Sequence, residues 1–223
     1  MFAAFGIRFF DLECEQSRSQ TLKPKANGDE GEAVVAMAYS DFNLRDAVDR
    51  FCLVVVDVPN MFASVLDIEP GPLLSSLLPE FLPLALAINT EKARSELVIA
   101  PLLAAIRGQF AHRFSVFSGI DFTVDAAQGL SGYCDFILSR SPEQQFLRSP
   151  VAAIVEAKNE NLKSGLGQCV AEMVGARLFN EREGQPAAII HGAVTSGSLW
   201  RFMELRGQEI RLDQQAAVGR CGY

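Results

Sequence analysis

Three charged residues lie within two apolar segments in the middle of the chain. Asp135 is inside the run 133–138, and Glu156 and Lys158 are at the end of the run that starts at residue 151. Both runs have the composition of strands, and residues two apart in a strand point to the same face. We therefore expect Glu156 and Lys158 to share a face, where Asp135 from a neighbouring strand can join them.

Charged groups are almost never fully buried unless they are paired or bound to a metal. Two carboxylates and one ammonium at strand ends form a set that a purely structural sheet rarely collects. The simpler alternative is a salt bridge from Lys158 to Asp135 or Glu156 at a solvated sheet edge. The rest of the chain supplies the context for choosing between these interpretations.

Length and composition indicate one globular domain with a small appendage. The chain has 223 residues, of which 49% are hydrophobic and 21% charged, which is ordinary for a soluble protein that buries a core. The most apolar stretch, 82–88, is too short to span a membrane. The first residues lack the basic start and long apolar centre of a secretory signal. A cytoplasmic location is the expectation.

The cysteines and histidines do not predict a metal or disulfide framework. The five cysteines are scattered and contain no Cys-x-x-Cys pair, which argues against disulfides and a zinc ribbon. The two histidines, His112 and His191, are far apart in sequence, and we expect each at the surface or in a loop.

The net charge of −7 argues at first against a polyanionic partner. The acidic excess, however, lies before residue 91. Residues 1–36 hold four basic and six acidic side chains, 37–90 hold two and seven, and 91–223 hold fourteen of each. The region with the charged trio is therefore balanced, and a nucleic-acid partner is compatible with it.

The first ninety residues carry no chemical motif. Residues 1–36 are polar without apolar periodicity, which predicts a disordered N-terminal extension. Residues 37–90 form a small α/β region packed on the core. Its predicted elements are a helix capped by Asp41 or Asn43, a strand over 51–57, and a short helix over 74–81 that Pro79 and Pro83 interrupt or bound.

The helix predicted over 90–107 is the first element that could contribute to the site. Asn89 or Thr90 can cap it, and Pro101 predicts a kink or break. Glu96 lies one position from its apolar stripe, where a carboxylate is out of place unless it faces a polar cavity. The alternative is an exposed residue paired with Lys92 at four-residue spacing.

The remaining pattern predicts an α/β fold with a mixed sheet flanked by helices on both faces. Strands over 114–124 and 133–138 form an antiparallel hairpin, and a third strand covers 151–157. A helix over 166–180 follows, with Gln168 and Glu172 sharing one flank. The last predicted strands are 187–194, 199–205 and 208–212.

This order, with Asp135, the Glu156-Ala157-Lys158 triplet and Gln168, resembles the PD-(D/E)xK nuclease superfamily of the restriction-endonuclease-like fold. The resemblance covers about residues 91–206. More narrowly, 90–103 and 187–205 are similar to uncharacterised cyanobacterial members. Cys134 stands where the family name has proline, a tolerated variation.

The resemblance implies metal-dependent hydrolysis of phosphodiester bonds. It implies that Asp135, Glu156 and the Ala157 carbonyl bind Mg²⁺ or Mn²⁺, with Lys158 orienting or deprotonating the attacking water or stabilising the transition state. Glu96 would reach the metal through water or bind a second ion.

In the same scheme, Gln168 would position the water or a phosphate, and the substrate would be nucleic acid, with DNA favoured over RNA. A homodimer would allow two strands to be cut. Two alternatives stay open: a non-catalytic nucleic-acid-binding or assembly protein on the same fold, and an unrelated α/β protein. The tail after Leu212 lacks an expected closing apolar segment, which raises the hypothesis of a truncated C-terminus in the 91–223 nuclease-like core.

Overall fold

The structure is a computed structural model, and it describes residues 37–63, 65 and 69–218. The predicted N-terminal extension, 1–36, lies outside the described residues. A 3₁₀ turn at Tyr39–Asp41 leads into helix α1 (Leu44–Arg50) and strand β1 (Val54–Val58). The N-cap of α1 is Asn43, whose side chain accepts a hydrogen bond from the Asp46 N–H at 3.0 Å. Asn43 is one of the two residues predicted as the cap.

Helix α2 (Pro72–Ile88) corrects the prediction of a short helix ending near the prolines. Pro79 and Pro83 both lie inside it on an exposed side. The backbone carbonyls that these prolines leave without an N–H partner can therefore bond to water. The helix buries Leu74, Leu78 and Ala85 on its other side, and this packing holds it together through both prolines.

A second helical stretch runs from residue 91 to 109. It consists of α3 (Glu91–Arg94), a π-helical segment (Ser95–Ile99) and α4 (Ala100–Gln109). The predicted irregularity at Pro101 is present as this π segment, because proline cannot donate the regular backbone hydrogen bond and the preceding turn widens.

The strands form a mixed sheet in the order β1-β7-β6-β5-β4-β3-β2, and the short β8 pairs with β6. Strand β4 is antiparallel to β3 and parallel to β5, and β1 joins the far edge in parallel with β7. The hairpin predicted between β2 and β3 is confirmed. The bounds of the remaining strands are β2 (Ser115–Asp121), β3 (Tyr133–Ser139), β4 (Val151–Ala157), β5 (Ile190–Thr195), β6 (Leu199–Arg206), β7 (Glu209–Asp213) and β8 (Ala217–Val218).

Helix α5 (Leu162–Arg182) connects β4 to β5 and starts four residues earlier than predicted. Its first turns contain Gly165 and Gly167, which in a sequence resemble helix breakers. A Cβ at position 167 would lie 2.1 Å from the backbone carbon of Asn43, so glycine here allows the chain before α1 to touch the helix. The glycines therefore serve close packing, and Gln168 lies in the second turn rather than at the helix start.

Helices cover both faces of the sheet, as predicted. Helices α1 and α5 pack on one face, where Ile137 and Ile154 are buried. Helix α2 and the stretch 91–109 pack on the other, against Phe136 and Val155. Within the described part of the chain, no helix is long and apolar enough to cross a membrane.

Candidate functional site

The predicted trio lies where β4 leaves the sheet and α5 begins. Glu156 and Ala157 are the last residues of β4 that pair with β5, and the Lys158 N–H donates to the Thr195 carbonyl at 2.8 Å. On the β3 side, Asp135 Oδ2 accepts the Ala157 N–H at 2.8 Å. The last backbone pair between β3 and β4 is Phe136 with Val155. Beyond it, the Asp135 carboxylate replaces a backbone carbonyl as the acceptor, and this bond holds Asp135 at the end of β4.

Strand alternation from Ile154 places Glu156 and Lys158 on the face that α5 covers. The predicted meeting of Glu156 and Lys158 is confirmed, since Lys158 Nζ lies 2.5 Å from Glu156 Oε1. The Glu156 side chain is 1% exposed and that of Lys158 is 18% exposed. The ion pair that we considered as the simpler alternative therefore exists, but it is buried rather than at a solvated edge.

Space for the lysine comes from the first turn of α5. A Cβ at Gly165 would lie 3.0 Å from Cγ of Lys158 and 2.8 Å from Cγ1 of Val194. Any larger residue would push the helix away from the end of β4. Glycine at this position lets the helix press the lysine stem against the sheet and directs the ammonium inward.

Helix α5 contributes two polar side chains to the site. Lys158 Nζ lies 3.4 Å from Gln168 Oε1, and Gln168 Nε2 donates to Glu172 Oε1 at 3.1 Å. A chain of contacts thus runs from Glu156 through the lysine and the glutamine to Glu172, which is fully buried. The sequence showed the spacing of Gln168 and Glu172, but we did not count Glu172 as a site residue.

Two buried carboxylate oxygens in this group lack a hydrogen-bond partner. Among the described residues they are Glu156 Oε2 and Glu172 Oε2. The Cys134 thiol also interacts with Glu172, but a thiol is a weak donor. Buried polar atoms without partners are rare in native proteins and call for an explanation such as a bound ion or water.

The electrostatics of the site leave it short of positive charge. Burial raises the pKa of Glu156, and the charges of Glu172 and Asp135 raise it further, more than Lys158 lowers it. Burial also raises the pKa of Glu172. Burial lowers the pKa of Lys158, but the charge of Glu156 and its hydrogen bond outweigh this and raise it. Lys158 therefore stays charged, and its one positive charge serves several acidic groups.

Glu96 lies in an exposed ion pair, with its carboxylate 2.7 Å from Lys92 Nζ and its side chain 61% exposed. This is the alternative arrangement that its spacing indicated, and its role at a metal stays a prediction. The carboxylate that approaches Lys158 from this helical stretch is Glu91, at 4.0 Å. Sequence reasoning missed Glu91, although its position directly after the cap Thr90 marks it as the first helical residue.

A buried arginine holds the loop that follows Lys158. Arg94 donates to Asn89 Oδ1 at 2.8 Å, to Asn159 Oδ1 at 3.0 Å and to the Ser196 carbonyl at 2.9 Å. These bonds tie the start of α3 to the loops after β4 and β5. The guanidinium therefore stabilises the backbone from which the lysine extends.

The histidines do not take part in this group of contacts. His112 is exposed, as expected. His191 corrects the expectation of a surface or loop position, because it lies in β5 and is buried, with Nδ1 3.8 Å from Glu204 Oε1.

The donor atoms of this group bear on which metal ion it could bind. In the described ranges, no set of three or more His, Cys, Asp and Glu side chains is arranged to hold one. Mg²⁺, however, keeps several waters and is usually bound through one or two carboxylates. Two unpartnered carboxylate oxygens in a site short of positive charge fit such a cation.

Comparisons of the chain with known protein families, with curated proteins and with solved structures find no significant match.

Proposed function

We propose that this protein is a metal-dependent nuclease that hydrolyses phosphodiester bonds of nucleic acid, with Asp135, Glu156 and Lys158 as its site. The observation that carries the proposal is the burial of Glu156, with one unpartnered oxygen, against a lysine at the end of a strand. A carboxyl group whose pKa is strongly shifted by burial and by charged neighbours is a candidate for a functional site.

Asp135 and Glu156, with the Ala157 carbonyl, would hold the cation. When bound, Mg²⁺ or Mn²⁺ would supply Lewis-acid chemistry, acidifying water and neutralising charge on phosphoryl oxygens. The Lys158 ammonium has three donor hydrogens. Its contacts with Glu156 and Gln168 orient it, and a remaining hydrogen can be donated to a phosphoryl oxygen or to the attacking water.

The distribution of charge along the chain is compatible with a nucleic-acid substrate. Residues 91–223 carry balanced charges, so the core that holds the site does not repel a polyanion as strongly as the whole chain would suggest. We take DNA as the first substrate to test, in single-stranded and duplex form, with RNA as the comparison.

The test is cleavage of supercoiled plasmid and of labelled DNA and RNA strands with Mg²⁺ or Mn²⁺. Asp135→Asn and Lys158→Met are expected to lower the cleavage rate by about 10²-fold or more, as for loss of groups that stabilise a transition state. The matched control is Lys92→Met, since Lys92 is an exposed lysine paired with a carboxylate, and its rate should equal that of the wild type.

Cleavage by a folded wild type that persists in both Asp135→Asn and Lys158→Met would contradict this site assignment. Absence of cleavage in the folded wild type would contradict the nuclease proposal itself. Retention of labelled nucleic acid in a gel-shift assay without cleavage would favour the second candidate, a non-catalytic binding protein.

A further inference from the structure

Glu172 is the most deeply buried acidic group near the end of β4. It lies in the third turn of α5, with no exposed surface. Moving a carboxylate out of water is costly unless a partner compensates the charge. Among the described residues, no ion pair within 4.0 Å is formed by Glu172, and the Lys158 ammonium, which pairs with Glu156 and Glu91, compensates its charge only partly.

The hydrogen bonds of Glu172 do not account for its burial. Its Oε1 accepts from Gln168 Nε2 at 3.1 Å, and the Cys134 thiol adds only a weak donor. In the described structure its Oε2 has no hydrogen-bond partner. Glu156 repeats this pattern, with Oε1 on Lys158 and Oε2 without a partner. The two glutamates are thus each half satisfied, and they face one site from the strand and from the helix.

We infer that Glu172 binds a divalent cation together with Glu156. Helix α5 then supplies the additional carboxylate, a role for which the sequence suggested Glu96. This inference rests on the proposed function, because it concerns the cation of the same site. Glu96 is 61% exposed and already paired with Lys92. Glu172 is buried, and it accepts a hydrogen bond from Gln168, whose side-chain oxygen lies near the Lys158 ammonium.

The chemistry of the donors favours a hard divalent ion. Both unpartnered atoms are carboxylate oxygens, which Mg²⁺ and Mn²⁺ prefer over nitrogen or sulfur ligands. Two carboxylates with retained waters are a usual set for Mg²⁺.

A proton shared by the two carboxyl groups is the competing way to lower their charge. It would satisfy one oxygen without any metal, and it would make Glu172 a structural group. The two interpretations differ in the effect of removing the Glu172 charge on metal affinity. A structural carboxyl would leave that affinity unchanged, whereas a ligand would lower it.

The experiment measures Mg²⁺ and Mn²⁺ binding to the full chain by calorimetry and by the metal-induced rise in melting temperature. Glu172→Gln keeps the side-chain shape and an acceptor for Gln168. Loss of a directly bound carboxylate is expected to weaken Mn²⁺ binding by about 10- to 100-fold or more, at least as much as loss of an outer-shell partner. The control Glu181→Gln, which changes an exposed carboxylate of the same helix, should bind as the wild type does.

A second variant, Glu172→Met, keeps the test valid if the glutamine variant folds poorly, because a buried methionine needs no partner. Wild-type Mn²⁺ affinity in a folded Glu172 variant, together with lost affinity in Glu156→Gln, would overturn this inference and leave the nuclease proposal standing. No binding by the wild type would overturn both. Weaker binding in Glu172→Gln, with no cleavage by the wild type, would support the ligand and contradict the nuclease.

Discussion

Two buried carboxylates of the sheet, Glu204 and Glu156, have different surroundings. Glu204, in β6, is 1% exposed, and its Oε2 accepts from Arg206 Nη2 at 2.7 Å and from Nε at 3.1 Å. Arg211 approaches the same oxygen at 3.8 Å, and His191 Nδ1 lies 3.8 Å from Oε1. Glu156, at the end of β4, has one ammonium, which it shares with other acidic groups.

The two carboxylates differ in how fully nearby positive charges compensate them. Glu204 lies opposite Arg211 and His191 in adjacent strands, so the sheet register itself brings the Arg211 guanidinium close to it. Glu156 and Glu172 come from a strand and a helix and have fewer cations than acids. Such under-compensation costs stability, and proteins accept that cost most often at functional sites.

The largest expected effect on stability comes from replacing Glu204. Glu204→Gln removes the counter-charge of Arg206 and Arg211, and the free energy of unfolding is expected to fall by about 2–3 kcal/mol. Urea denaturation measures this loss. A loss below 0.5 kcal/mol, within the range of ordinary surface substitutions, would show that the two regions do not differ in the way described.

The next effect is the pH dependence of the free energy of unfolding that Glu156 and Glu172 cause. The pKa values of Glu156 and Glu172 are raised in the folded state, so above about pH 5 the folded state holds protons that the unfolded state has released. The free energy of unfolding therefore falls as pH rises through the raised values. Glu172→Gln should flatten this slope and raise stability at pH 8 by about 1 kcal/mol, the equivalent of roughly one pKa unit.

Urea titrations from pH 5 to pH 9 measure the slope for the wild type and for Glu172→Gln. The comparison is sharpened by the conservative variant Arg206→Lys, which keeps the charge beside Glu204 and should leave the slope as in the wild type. An unchanged slope in Glu172→Gln would mean that the helix carboxyl is not the group that retains the proton.

The smallest effect is expected for the exposed pair between Lys92 and Glu96. Glu96→Gln should change the free energy of unfolding by less than about 0.5 kcal/mol, because an exposed pair at four-residue spacing gains little over solvation. Thermal denaturation at low and high salt measures this. A change above 1 kcal/mol would indicate that Glu96 has buried contacts in solution.

Much of the fold followed from local pattern. The hairpin of β2 and β3, the strand β4 and the helix after it were predicted because strand alternation and helical spacing are visible over a few residues. The prolines of α2 misled the same reasoning, and the helix after β4 starts four residues earlier than predicted. The effect of the prolines depends on what packs against each side of the helix, and that information lies in distant segments.

The arrangement of the site was also predictable in part from local sequence pattern. By itself, the sequence determined that Glu156 and Lys158 face one side, because alternation is a property of the extended backbone. It also identified Gln168 and Glu172 as neighbours on one flank, because four residues make about one helical turn. These relations hold for any packing of the strand and the helix.

Only the tertiary structure decided which flank of α5 meets the end of β4 and which acidic residues are buried there. Gly165 sets how closely the helix approaches Lys158, and that approach buries Glu172 while Glu96 stays in solvent. Burial then decides the chemistry, because a carboxylate removed from water without a full set of partners has a raised pKa and an unfilled capacity to bind a cation.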